Sequence, residues 1–355
     1  MAVFEWMQKF IEEALKNNDQ PRLQLVYFAQ QADMLRESNP EVAFQVYQAG
    51  RSAAEQLSEP CWILFFAQRL AHVCIFELEN LERAMELVAR DYVLSTQESY
   101  THCPINPAIR VNLVETYLYY DPVGYADTIQ EVVDYLRKTE STDTHMRLQL
   151  DDFMAQLHLK CNQLDKALDY SLRTLDDGYG YLTLSRIYWE RGEYQKVLEI
   201  SELREEESAL SPYGLADSRA WIAAMLMRTN GDSLKAKSLY QRAQYHITKI
   251  NFVPNSTLYD ALADYHEASE NLTEALHIRN EQLAKQQLVA GPEEVIIVRL
   301  RRTRLLGRMG KIEEMNDQIS DIRSHLSKVK QPTHYEQLLG LIEKGYYSDV
   351  VWQAL

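Results

Sequence analysis

Three segments of the sequence, DFMAQLHLKCNQLDKALDYS (152–171), YLTLSRIYWERGEYQKVLEIS (181–201) and YDALADYHEASENLTEALHI (259–278), repeat one arrangement. Each runs from a helical apolar pattern through a short polar break to an aromatic residue or leucine, two polar residues, and a small or branched apolar residue. Aligned on that last residue they give Ala167, Val197 and Ala275. The same frame takes in Ala84, Ala236 and Met315, with Ala43 and Ala126 fitting less cleanly. A final copy places Val350 there, and successive positions lie about 30 to 42 residues apart. Self-similarity at this period marks an array of supersecondary units. A helix hairpin cannot bury its apolar stripe alone, so each copy must pack on the next and the core must run along the array. Small residues at the helix crossings let two backbones approach. Gly192, Gly231 and Gly310 fall where the first helix must end and reverse, a place that favours left-handed backbone angles.

The remainder of the chain agrees with an all-α reading. Only 12 of 355 residues are glycine, and prolines such as Pro40, Pro60, Pro104, Pro254 and Pro332 fall between apolar-periodic segments. No alternating Val/Ile/Thr segments with hairpin turns stand out. A hydrophobic content of 46% suffices for a large folded body.

Segment 178–201 resembles the tetratricopeptide (TPR) family: Leu184, Tyr188, Gly192, Tyr194 and Val197 match its Leu, Tyr, Gly, Tyr and Ala positions, and Ser185 replaces a small residue. The resemblance extends from about residue 22 over nearly the full chain, with repeats longer than the family's usual 34 residues. Longer helices of this kind are similar to those of superhelical sensor domains in bacterial regulators and of motor-protein light chains. The resemblance implies a right-handed α-solenoid of about eight to nine TPR-like hairpins. Residues 1–21 would form an amphipathic capping helix, 22–330 the superhelix, and 331–355 an incomplete terminal repeat.

Charge and motifs exclude several function classes. With 52 acidic against 37 basic residues the net charge is −15, which argues against general affinity for nucleic acid or an anionic membrane. No run of about eighteen apolar residues is present to span a bilayer. Glu5, Lys9, Glu12 and Glu13 interrupt the N-terminal apolar pattern, unlike a signal peptide. Cys61, Cys74, Cys103 and Cys161 have no CxxC pairing or metal-finger spacing and read as buried thiols of a reducing, cytoplasmic compartment. GRMGK (307–311) lacks the earlier glycine and the Ser/Thr of a phosphate loop, and GxSxG and HExxH do not occur. His72, His158 and His266 fall at interior-leaning positions and read as satisfied core histidines. The expectation is a non-enzymatic chain without cofactor or metal.

By the resemblance, the first helix of each repeat lines a concave groove. Its groove positions are Tyr179, Arg186 and Trp189 in one repeat, and Trp221, Met225 and Arg228 in the next. Asp260 and Asp264 follow, then Arg304. Trp189 and Trp221 either anchor a ligand or pack between helices. Where the family's carboxylate clamp would need cations, Asp260 and Asp264 stand instead, so a chaperone C-terminal peptide is not the expected ligand. In the basic run 295–311, Arg301, Arg304 and Arg308 share one helical face. They bind an external anionic ligand, clasp the Asp260/Asp264/Glu267 face of the preceding repeat, or stand as free solvated charge, a role that lysine more often fills. Arg302 lies in the apolar stripe and needs a partner or a snorkelling side chain.

The leading expectation is a protein-interaction module that captures a peptide or protein segment in its groove, with no nucleic acid or membrane partner. Two other readings remain: a ligand or peptide sensor that switches by superhelix pitch, and a structural subunit contacting partners through its ends. The last would use self-association through Tyr346 to Leu355, where Val351, Trp352 and Leu355 form an uncovered apolar end.

Overall fold

The computed structural model describes residues 2–36, 38–78, 80–140, 143–175, 180–206, 212–247, 256–287 and 290–348. Tyr179, the last repeat position Val350, and the C-terminal residues Val351, Trp352 and Leu355 lie outside them. The described residues form eighteen α-helices and no strand. The fold is an all-α array of helical hairpins. The chain divides into two compact units: Met1–Tyr120 with Asp127–Thr139, and Asp121–Ala126 with Glu140–Leu355.

The first unit contains α1 (Ala2–Lys16), α2 (Gln20–Leu35), α3 (Pro40–Gln56), α4 (Pro60–Phe76), α5 (Leu81–Ser95), α6 (Asn106–Tyr120) and nearly all of α7 (Ala126–Thr139). Short polar side chains start these helices where the sequence supplies them. Asp19, Asn39 and Asn80 each accept from the backbone N–H three residues on, satisfying a donor that the helix cannot. Prolines occupy the first turns of α2, α3 and α4, where the missing N–H costs nothing. α2 packs on α3 and α4 on α5, and α4 also lies against α6. The core centres on Trp62, whose ring stands 5.2–5.6 Å from Trp6, Phe10, Phe65 and Phe66.

The second unit contains α8 (Thr144–Lys160), α9 (Leu164–Leu172), α10 (Tyr181–Glu190), α11 (Tyr194–Glu206), α12 (Pro212–Arg228), α13 (Ser233–Ile247), α14 (Ser256–Ala268), α15 (Leu272–Gln286), α16 (Pro292–Arg308), α17 (Ile312–Leu326) and α18 (Thr333–Glu343). Helices pair as α8/α9, α10/α11, α12/α13, α14/α15 and α16/α17. First helices also align, α8 with α10, α12 with α14, and α16 with α18. That second set of contacts is what a one-dimensional stack requires. The repeat residues Ala43, Ala84, Ala167, Val197, Ala236 and Ala275 are fully buried, and Met315 nearly so.

Three expectations are corrected. Gly192 (φ 71°) and Gly310 (φ 72°) have the left-handed backbone expected of them, but Gly231 does not. Asn230 takes that conformation instead (φ 55°), six residues before Ala236, whereas Asn162 and Glu270 take it five before Ala167 and Ala275, so this turn is shifted by one residue. Gly231 is constrained by space instead: a Cβ there would stand 2.8 Å from Leu226 Cδ2. Ala126 is only half-buried, and Ile129, one helical step on, fills the core instead. Finally, Cys61 and Cys103 are joined as a disulfide rather than remaining thiols. Spacing rules address local pairs, and these two are 42 residues apart, brought together by the stacking of α4 against the α5–α6 connection. Cys74 and Cys161 are free, and burial pushes both thiols up to about 11. Among the described residues no helix is long and apolar enough to cross a membrane.

Candidate functional site

The groove positions of the second unit come together, but on one another. Asp260 of α14 is fully buried and accepts from Arg301 Nη1 of α16 at 2.6 Å, and it also pairs with Arg186 of α10 and Arg279 of α15. Burial alone would raise the Asp260 pKa. Arg186 and Arg279 outweigh that and hold it below the ordinary carboxylate range. Arg301 reaches on to Glu190 at 3.2 Å, and Arg186 to the same carboxylate at 2.9 Å. The guanidiniums of Arg186 and Arg301 stand 4.5 and 5.2 Å from the ring centroid of half-buried Trp189, a cation–π arrangement.

A second node forms about two turns along α14. Glu267, also buried, pairs with Arg304 and with Arg308 Nη1 at 3.1 Å, and Arg308 continues to Glu270 at 3.3 Å. Asp264 receives Arg228 of α12, whose Nε lies 3.1 Å away. Lys160 at the end of α8 bridges Glu293 and Glu294 of α16 at 3.0 and 3.1 Å. Burial opposes the Lys160 charge, yet the two carboxylates hold its pKa above the usual lysine value.

The arginine question is thereby answered for these residues: Arg301, Arg304 and Arg308 form the internal clasp, and Arg301 and Arg304 are 8% and 7% exposed. Trp221 and Met225, at 2% and 0%, are core residues rather than ligand anchors. Trp221 meets Trp189 edge-on at 5.5 Å, and small neighbours Ala220, Ala223 and Ala224 make room for it. Arg302 is half-buried, with Nε 2.6 Å from Asn280 Oδ1, so its partner is a side-chain amide. Among the histidines, His266 Nε2 lies 2.7 Å from Tyr240 OH and His158 Nδ1 lies 2.9 Å from Gln163 Oε1, as satisfied histidines should.

Arg279 went unrecognised in the sequence. It is 1% exposed and belongs to the second helix of its hairpin, so the groove frame passed over it. Its signal was spacing: Ala275, Arg279, Gln282 and Gln286 follow one face of α15, and all are buried. Arg279 Nε and Gln282 Nε2 are buried without a hydrogen-bond partner.

The first unit differs. Its first helices carry exposed apolar side chains: Tyr27 and Met34 on α2 (55% and 75%), Phe76 on α4 (40%) and Tyr119 on α6 (43%). The Phe76 and Tyr119 rings meet edge-on at 6.4 Å, and His72 lies 4.7 Å from Phe76. Ion pairs frame this surface between α2 and α4: Arg36 Nε to Glu77 at 3.0 Å, and Arg69 toward Asp33 at 3.9 Å. Burial, with Arg36 and Arg69 nearby, pushes the His72 pKa down to about 4. In the repeat anchored at Ala84 the groove spacing falls on Arg69, Phe76 and Glu77, together with the buried Phe66 and Val73.

At the C-terminal side, Tyr347 folds its ring against Gly307 and sets its hydroxyl 3.6 Å from Met315 Sδ. Tyr346 is exposed. No protein-family model matches the chain, and no curated protein matches its sequence.

Proposed function

We propose that this chain is a non-enzymatic, TPR-like protein-interaction module whose binding surface lies on the first helices of the first unit. The observation that carries this reading is the contrast between the units. Phe76, Tyr119, Tyr27 and Met34 stand exposed in the first, while the corresponding helices of the second spend their charged side chains on each other. An aromatic pair framed by charge suits a partner segment that lays an apolar side chain across the exposed rings, since aromatic anchors carry much of the energy of such interfaces. The partner is a peptide or protein segment.

The test is photocrosslinking in the native host, with a benzophenone amino acid placed at Phe76, Tyr119, Arg308 or Tyr346. Capture of one discrete partner from positions 76 and 119, and not from 308, is the expected outcome. Crosslinks only from position 346 would instead place the contact at the C-terminal side and overturn the reading.

A second reading, a sensor, is favoured by the ionic nodes. Asp260 ties α10, α15 and α16 to α14, so a ligand competing for those arginines would release several helices at once. A labelled oligoglutamate that binds the full chain, and binds Glu267→Gln more tightly, would favour it. An oligolysine preference would count against it.

A further inference from the structure

A third residue stands beside the Cys61–Cys103 disulfide. His102 precedes Cys103, and its Nε2 lies 4.0 Å from Cys61 Sγ. One ligand atom from each of Cys61, His102 and Cys103 lies within 4.8 Å of the other two. Cys61 comes from the first turn of α4, and His102 and Cys103 come from the connection before α6. We propose that, in the reduced chain, Cys61, His102 and Cys103 form a binding site for a thiophilic divalent ion of the zinc class, which the disulfide abolishes.

The donor set argues for that class. Two thiolates and one imidazole suit zinc, which takes tetrahedral sulfur and nitrogen ligands at about 2.3 and 2.0 Å, so that ligand atoms stand roughly 3.3–3.8 Å from one another. The imidazole–sulfur separation already falls close to that range. The two sulfurs need only part as their bond opens. Three protein ligands leave the fourth position to water.

Placement favours the thiolate form. Glu59, at the N-cap of α4, makes no side-chain capping hydrogen bond because its carboxylate goes to Arg22 Nε at 2.7 Å. The positive end of α4 is thus left to Cys61, in its first turn. Cys103 is buried, Cys61 is half-buried and His102 is exposed, so the ion has an entry path from the histidine side.

Loading and release take three balanced steps. A dithiol reduces the Cys61–Cys103 bond, becoming a cyclic disulfide and leaving two protein thiols. The ion then binds with loss of one proton from each thiol. A disulfide-class oxidant then takes two electrons from the two thiolates, its own S–S bond breaking to give two thiolates as the protein sulfurs rejoin and the ion is expelled. The site is therefore loaded or empty according to the redox poise around it.

Anaerobic titration of the full-length chain with Co(II), after reduction by a phosphine and its removal, tests this. The reduced chain is expected to take up one equivalent, with thiolate-to-cobalt charge-transfer absorption that Zn(II) then bleaches. The disulfide-bonded chain should take up none. Cys61→Ser should abolish the sulfur bands, and Cys74→Ser and Cys161→Ser should leave them intact. His102→Gln changes an exposed side chain and preserves the fold, which circular dichroism checks. It should weaken binding by roughly tenfold or more, since even groups that only orient a ligand are worth roughly 10–100-fold. Absence of cobalt uptake by the reduced wild-type chain overturns the proposal, as does uptake unchanged in both His102→Gln and Cys61→Ser.

Discussion

At the scale of single residues, the most consequential side chain is a carboxylate. Asp260 is fully buried beneath Arg186, Arg279 and Arg301. Removing one partner of a buried ionic set leaves uncompensated charge, which costs about 3–5 kcal/mol, whereas an apolar replacement of the whole set is often tolerated. Asp260→Asn should therefore lower the denaturant midpoint strongly, and adding Arg301→Met should recover part of the loss. His72 supplies a pH test. Burial first, then Arg36 and Arg69, lower its folded pKa to about 4 from 6.5, with Asp33 opposing. The unfolded chain thus binds a proton more readily between those values. The stability His72 contributes is present above pH 6.5 and lost as pH falls toward 4. His72→Gln should flatten the fall in melting temperature across that window. The sequence made the candidate arginine cluster legible, because three arginines at helical spacing share a face. It left open whether they hold a ligand or Asp260 and Glu267, since that depends on how tightly successive first helices approach.

At the scale of elements, the repeat determines what a substitution does. Ala236 and Ala167 are fully buried where two helices cross, and Ala236→Leu should cost about 1–3 kcal/mol by overpacking, read as a lower melting temperature. Gly307→Ala should be comparably harmful for a different reason, because the added methyl meets the Tyr347 ring. Loss of the Tyr347 packing in Tyr347→Ala would make Gly307→Ala nearly neutral, and a double-mutant cycle checks this coupling. Hairpins and core residues were readable because helix periodicity and small crossing residues are local signals. The shifted turn at Asn230 was not, since glycine and asparagine both enter the left-handed region and adjacent candidates compete.

At the scale of the whole molecule, the two units carry separate cores, one around Trp62 and others around Trp221 and Ile296. Chemical denaturation should accordingly depart from a single two-state transition. A Trp62→Phe variant should alter the fluorescence change of one phase and spare the other. Neither the disulfide nor the Cys61–His102–Cys103 grouping was visible in the sequence, because their partners are some forty residues apart and no periodicity links a helix start to a loop. The aromatic surface of the first unit is partly legible, because the groove spacing counted back from Ala84 reaches Phe76, whereas Tyr27 and Met34 fall off that spacing.

Asp121–Ala126 interrupts the first unit yet belongs to the second. There the Asp121 carboxylate accepts the Lys330 backbone N–H at 3.0 Å, and the Lys330 ammonium stands 3.3 Å from the Tyr125 ring centroid. The paired residues are 209 positions apart. On a ribosome, this short segment emerges long before its partner exists. The hairpins between them can each fold on neighbouring contacts, but this closure must wait for Lys330 and then bear the entropy of a very long loop. Folding should thus include a late, slow locking step once Lys330 has emerged, and Asp121→Ala should weaken that step while leaving the earlier hairpins to form at their own pace.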